Sequence, residues 1–164
     1  MGKFFLMSHR FDKKGASDFG LEPLEFNYAI DPDDRSIWES RKLYDFGWGA
    51  ENGYCKLPIP NFEALLELVL FSENKDDVYG AASIIMEDHS DNFLEVCECI
   101  SSDKNRVKDF KRLVKVFDLC HAINRSSILC KSYEQVEDDY SRWCRISELA
   151  MRSCRRTERR VKLL

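Results

Sequence analysis

The chain has 164 residues, a formal charge of −4 and a 44% hydrophobic share, which suits one domain of ordinary size with a real core and excludes a low-complexity disordered chain. No apolar run nears the roughly 18 residues of a membrane helix; the longest, Ala64 to Phe71, contains Glu67. The opening Met1-Gly2-Lys3-Phe4-Phe5-Leu6-Met7 runs straight into Ser8, His9 and Arg10, whereas a secretory signal wants about 7–15 apolar residues and a small-residue cleavage site.

Lys3 to Met7 is a weak strand candidate. Leu24 to Ile30 alternates, with Leu24, Phe26, Tyr28 and Ile30 on one side; that period of two predicts a strand burying those four residues. Ser36 to Phe46 fits a short helix or an irregular strand around Ile37, Trp38 and Leu43. Gly47-Trp48-Gly49 and Asn52-Gly53 read as turns. All seven glycines and all four prolines fall within the first 80 residues.

From Asn61 the apolar period becomes helical. Asn61 is placed to cap a helix through Phe71. Asp76 is placed to cap a second through about His89, with Val78, Ala81, Ala82, Ile85 and Met86 inward. Ser90 is placed to cap a third, with Phe93, Val96, Cys97 and Ile100 spaced as one face. Ser102 would cap a fourth, burying Val107, Phe110, Leu113, Val114 and Phe117. Ser132 with Gln135 has the form of a capping box opening a long last helix towards Val161, whose inward face is Tyr140, Trp143, Cys144, Ser147, Ala150, Met151 and Cys154. The expected fold is mainly α (α+β): an antiparallel helical bundle or HEAT-like helices with a small N-terminal β/loop subregion. Residues 1–164 read as a single domain, with 1–60 the strand-and-loop part and 61–164 the helical part.

Charge is segregated along this frame. From Tyr140 to Leu164 eight basic residues face two acidic ones, and between Asn61 and Ile100 ten acids face only Lys75. Glu63 and Glu67 are i, i+4 neighbours on the first helix. Asp77 and Asp88 lie about 20° apart around the second, which also carries Glu87. Asp91, Glu95 and Glu98 share a stripe on the third. A solvated helix face normally mixes acids with bases, because i, i+4 pairs of opposite sign help a helix and like charges hurt it. These eight carboxylates are therefore the candidate binding surface, weighed against a plain solvated face. Such a surface would attract a basic protein and repel nucleic acid.

Candidate chemistry is thin. The cysteines stand at 55, 97, 99, 120, 130, 144 and 154. Their odd number and the missing export signal favour reduced thiols and a cytoplasmic location. Cys97-x-Cys99 lacks zinc-knuckle spacing. Asp88-His89-Ser90-Asp91 invites a triad, but adjacent residues at a helix end do not converge on one substrate. Asp31, Asp33 and Asp34 resemble the start of a calcium loop, yet Ser36 and Lys42 stand where glycine and glutamate are required. No phosphate loop, HExxH or nucleophile elbow occurs. No catalytic residue, metal or cofactor is expected. The basic end, from Arg152 through Arg155, Arg156, Arg159 and Arg160, would either contact nucleic-acid phosphates, as a regulatory adaptor would, or suit its own helix dipole and pair with the acidic body.

The stretch NFEALLELVLFSENKDDVYGAASIIMEDHSDNFLEVCE, residues 61–98, resembles the helical segment of small bacterial immunity proteins of polymorphic toxin and contact-dependent inhibition systems. The likeness lies in its short acidic helices and its Asp-Asp-Val-Tyr-Gly-Ala-Ala turn and helix, and it covers about a quarter of the chain. It implies a non-enzymatic protein that binds and blocks a cognate toxin, for which an acidic face would suit a basic nuclease.

Overall fold

The computed structural model describes residues 3–8, 12–13, 15–45 and 49–161, apart from the side chains of 45, 49–51 and 155–161. Its contacts divide the chain into two compact units, Met1–Ile85 and Met86–Leu164. The change at residue 61 in the sequence is therefore a change of element type and not the limit of a packed unit.

The first unit holds strands β1 (Phe5–Met7), β2 (Glu22–Pro23), β3 (Tyr28–Ile30), β4 (Ile37–Asp45) and β5 (Gly49–Lys56). They form one antiparallel sheet in the order β1-β5-β4-β3-β2. Trp38, Ala29 and Tyr54 share one sheet face, packing with Ala16, Leu21 and Phe19. Phe5, Leu43 and Cys55 lie on the opposite face, and all three are fully buried. Burial on both faces of β4 explains its ambiguous sequence: Trp38 and Leu43 have opposite parity, which erases the period of two.

The alternation from Leu24 to Ile30 is not one strand. It folds into the β2–β3 hairpin, in which the Leu24 N–H donates to the Tyr28 carbonyl at 2.9 Å. Phe26 sits at the tip with φ 60 and is 94% exposed. Leu24 and Tyr28 are also exposed, and the buried residue is Ala29. Its register opposite the bulky Trp38 leaves room for a small side chain, so the large apolar residues point outward. Asn52-Gly53 is likewise not a turn. It lies inside β5, where a Cβ on Gly53 would stand 2.6 Å from Leu43 Cδ1 and 2.7 Å from the Leu6 carbonyl oxygen. The glycine marks close approach of neighbours. The expected turn at 47–48 lies outside the described residues.

Helix α1 (Phe62–Phe71) begins as expected, with the Ala64 N–H donating to Asn61 Oδ1 at 3.0 Å. Helix α2 (Lys75–Asp88) starts one residue before the expected cap: Asn74 Oδ1, not Asp76, accepts from the Asp76 N–H at 2.9 Å. Inside the first unit α2 is tied to the sheet at three levels. The Phe4 and Phe5 N–H groups donate to Asp77 Oδ1 at 2.7 and 3.1 Å. One turn on, a Cβ at Gly80 would meet the Phe5 ring at 2.3 Å. Ser83 Oγ accepts from the Tyr44 N–H at 2.9 Å.

The second unit is built from α3 (Ser90–Ser102), α4 (Val107–Phe117) and α5 (Tyr133–Val161), which pack on one another. Ser90 is a buried residue inside α3 and His89 precedes the helix, so the expected serine cap is displaced by one position. The turn before α4 is capped by Asp103, whose side chain accepts from the Asn105 N–H at 2.8 Å. Ser102 instead donates to the Glu98 carbonyl. The capping box at α5 forms reciprocally: Ser132 N–H to Gln135 Oε1 at 2.8 Å, and Gln135 N–H to Ser132 Oγ at 3.3 Å. The core stacks Phe93 against Phe117 and Trp143 at 4.1 and 6.0 Å between ring centroids. Trp143 also donates its indole N–H to buried Ser126. Among the described residues of α5, Asp139, Trp143, Ile146, Ser147 and Ala150 are buried, while Tyr140, Met151 and Cys154 are exposed. The observed architecture is α+β.

Candidate functional site

The eight carboxylates of the candidate surface divide into distinct kinds. Glu63 and Glu67 are exposed on α1, and among the described residues no cation pairs with either. They lie on the side of α1 away from buried Leu65, Leu68 and Val69, while Leu70, seven residues beyond Glu63 on the same side, is buried as well. Asp77 differs from the expectation: it is 3% exposed and spends its oxygen on the backbone of Phe4 and of Phe5, the first residue of β1. Burial pushes its carboxyl above the ordinary aspartate value, against the pull of the Phe4 and Phe5 hydrogen bonds. Helical geometry gave Asp77 an angle but not a face, and the carboxylate turned inward to accept from the amides of Phe4 and Phe5 at the start of β1.

In the second unit Glu87, Asp88 and Glu95 are exposed. Asp91 and Glu98 are ion-paired. Lys131 Nζ lies 2.7 Å from Asp91 and 2.6 Å from Asp139. Arg142 binds Glu98 through two nitrogens, Nε at 2.9 Å and Nη2 at 2.6 Å. Those hydrogen bonds hold the Glu98 carboxyl below its ordinary value. The cations come from the turn before α5 and from α5 itself, 40 and 44 residues along the chain. The charge count shows the basic surplus of this segment, and pairing with the acidic helices is realised at Arg142. A count cannot show which acids are neutralised.

The other candidates have local roles. Asp31 and Asp34 accept from the backbone N–H groups of Asp33 and Ser36, closing the turn before β4. Asp34 also meets Lys56 Nζ at 2.6 Å. That lysine and Ser36 hold its carboxyl down to about 2. His121 Nδ1 pairs with exposed Asp118 at 2.9 Å. Cys55 and Cys97 are buried, and burial pushes the Cys97 thiol far up. Among the described residues no group of three His, Cys, Asp or Glu side chains is arranged to hold a metal ion. Nor is any helix there long and apolar enough to cross a membrane. Arg152 is exposed and 3.8 Å from Glu148. The side chains of Arg155, Arg156, Arg159 and Arg160 lie outside the described residues. His9 lies outside them too.

No family model matches the chain, and no match is found among curated proteins or solved structures.

Proposed function

We propose that the chain is a non-enzymatic protein-binding module of the immunity type, which neutralises a basic, nuclease-like toxin domain in the cytoplasm through exposed helical carboxylates. The observation that carries this reading is the Glu63–Glu67 pair on α1, two like charges at i, i+4 without a cation among the described residues. Such a pair costs its own helix a few tenths of a kcal/mol, a cost that a basic partner would remove on binding. Glu87, Asp88 and Glu95 extend the acidic character to the second unit. Asp77 drops out as a contact residue, and Asp91 and Glu98 act as ion-paired supports. In this reading the helices serve as an antiparallel, bundle-like or HEAT-like scaffold that presents the acids.

The test is coexpression with the product of the gene immediately upstream, followed by copurification at low salt. A complex is expected, weakening as salt rises, because exposed charge pairs are screened over about 10 Å at 0.1 M. Glu63→Lys with Glu67→Lys should weaken it about tenfold or more, within the range of coupling energies for charge pairs across interfaces. Failure of the two proteins to copurify overturns the immunity reading. A complex indifferent to both salt and the double substitution moves the contact away from the acidic face.

A further inference from the structure

Two thiols far apart in sequence meet in the second unit. Cys120 lies just beyond α4 and Cys154 on α5, and their sulfurs are 3.6 Å apart. They border an open cavity of about 480 Å³, also lined by Lys111, Val114, Lys115 and Asp118. The approach is fixed from behind. Ser147, two turns before Cys154 on the same side of α5, donates its hydroxyl to the Cys120 carbonyl at 2.8 Å. A disulfide needs its sulfurs at about 2.05 Å, so closing the gap takes about 1.5 Å, within reach of side-chain rotation at two unburied residues.

We infer that Cys120 and Cys154 form a reversible dithiol–disulfide site whose co-reactant is an anionic low-molecular-weight disulfide. Cys154 is the more exposed of the two and attacks first. Its thiolate forms a mixed disulfide with one half of the reagent and expels the other half as a thiolate, which takes up the proton Cys154 gave to water. Cys120 then loses its proton and attacks the Cys154 sulfur, expelling the second half. Two protein thiols are oxidised, one external disulfide is reduced to two thiols, and the two protons leave with them. The order rests on exposure, and it suits Cys120 to the second, resolving step that burial first, then the Cys154 hydrogen bond and nearby charge, push its thiol up to about 11. Lys111 and Lys115, one turn apart on α4, outnumber Asp118 at the cavity and favour a carboxylate-bearing reagent.

The test uses the full reduced chain with glutathione disulfide, read by peptide mapping and intact mass. The expected product is a Cys120–Cys154 cross-link with the loss of two hydrogens and no retained glutathione. Cys120→Ser should instead trap glutathione on Cys154, since the resolving thiol is gone. Lys111→Glu with Lys115→Glu should slow the reaction with glutathione disulfide about threefold or more and quicken it with cystamine, a cationic disulfide. Glutathione accumulating on Cys99 or Cys130 of the wild-type chain without the cross-link overturns the site. A cross-link with unchanged rates for both reagents overturns the anion preference. The wild-type map decides the first point even if a substituted chain folds poorly.

Discussion

Each unit buries a carboxylate, and the two are satisfied by different partners. In the first unit Asp77 is held by two backbone N–H groups of the β1 strand and its approach. In the second, Asp139 is held by Lys131 at 2.6 Å, with Arg142 bridging on to Glu98. Backbone amides are neutral dipoles of fixed position, so the first arrangement depends on register and close fit, as the crowding at Gly53 and Gly80 also does. Lysine and arginine carry full charge on flexible stems, so the second depends on salt and pH. The same residue type thus serves as a strand anchor in one unit and as part of a charge network in the other.

The largest effect should come from the helical core. Trp143→Ala removes the ring stacked on Phe93 and leaves the buried Ser126 hydroxyl without its indole donor. A loss of about 3–5 kcal/mol is expected by denaturant unfolding. A loss below about 1 kcal/mol would show that packing contributes little to the second unit, and the charge network would then have to hold it together.

Next comes Asp77, where two substitutions separate hydrogen bonding from charge. Asp77→Ala leaves the Phe4 and Phe5 amides without their acceptor and should cost about 1–3 kcal/mol. Asp77→Asn keeps an Oδ1 for both and should cost little. The pH dependence follows from the raised carboxyl. The folded chain binds this proton more tightly than the unfolded chain, so the stabilising contribution is complete below the ordinary value of 3.8 and is lost as pH rises through the higher folded value. Asp77→Asn should flatten that part of the stability–pH curve. A wild-type curve with no such component would show that the amides, not burial, govern the group.

Glu98 should show the opposite slope. Arg142 lowers its carboxyl, so its contribution is present above the ordinary value of 4.5 and is lost as pH falls through the lower folded value. The pair is partly exposed, and Glu98→Gln should cost only about 0.5–1 kcal/mol at neutral pH. The difference should shrink in acid and in high salt. Equal slopes for Asp77 and Glu98 would erase the distinction between the units.

The two units were also unequally legible in the sequence. Helices α1 and α5 carry their own start signals in Asn61 and in Ser132 with Gln135, because a cap is a bond between residues three apart. The Phe93–Cys97–Ile100 face was equally local. The sheet was not, since the burial of Ala29 depends on Trp38 opposite it, and Gly53 is required by Leu6 and Leu43 on neighbouring strands. The same holds for the candidate surface. Glu63 and Glu67 could be placed outward from their own helix, whereas the fate of Asp77 was decided 72 residues away at Phe5. The Cys120–Cys154 approach, across 34 residues, has no sequence signal at all.

The smallest stability effect is the one that bears most on function. Glu67→Lys replaces the like-charge pair on α1 with opposite charges at i, i+4, the acid Glu63 standing N-terminal to the new base, which is the favourable order. Both positions are exposed and neither lies in the core, so the substitution should stabilise the chain by about 0.2–0.5 kcal/mol while weakening capture of a basic partner. A residue whose replacement improves the fold and harms binding is one that the fold does not require. Should Glu67→Lys prove destabilising, α1 must be using that carboxylate structurally, as α2 uses Asp77, and the contrast between a free acidic face and an anchored one would be lost.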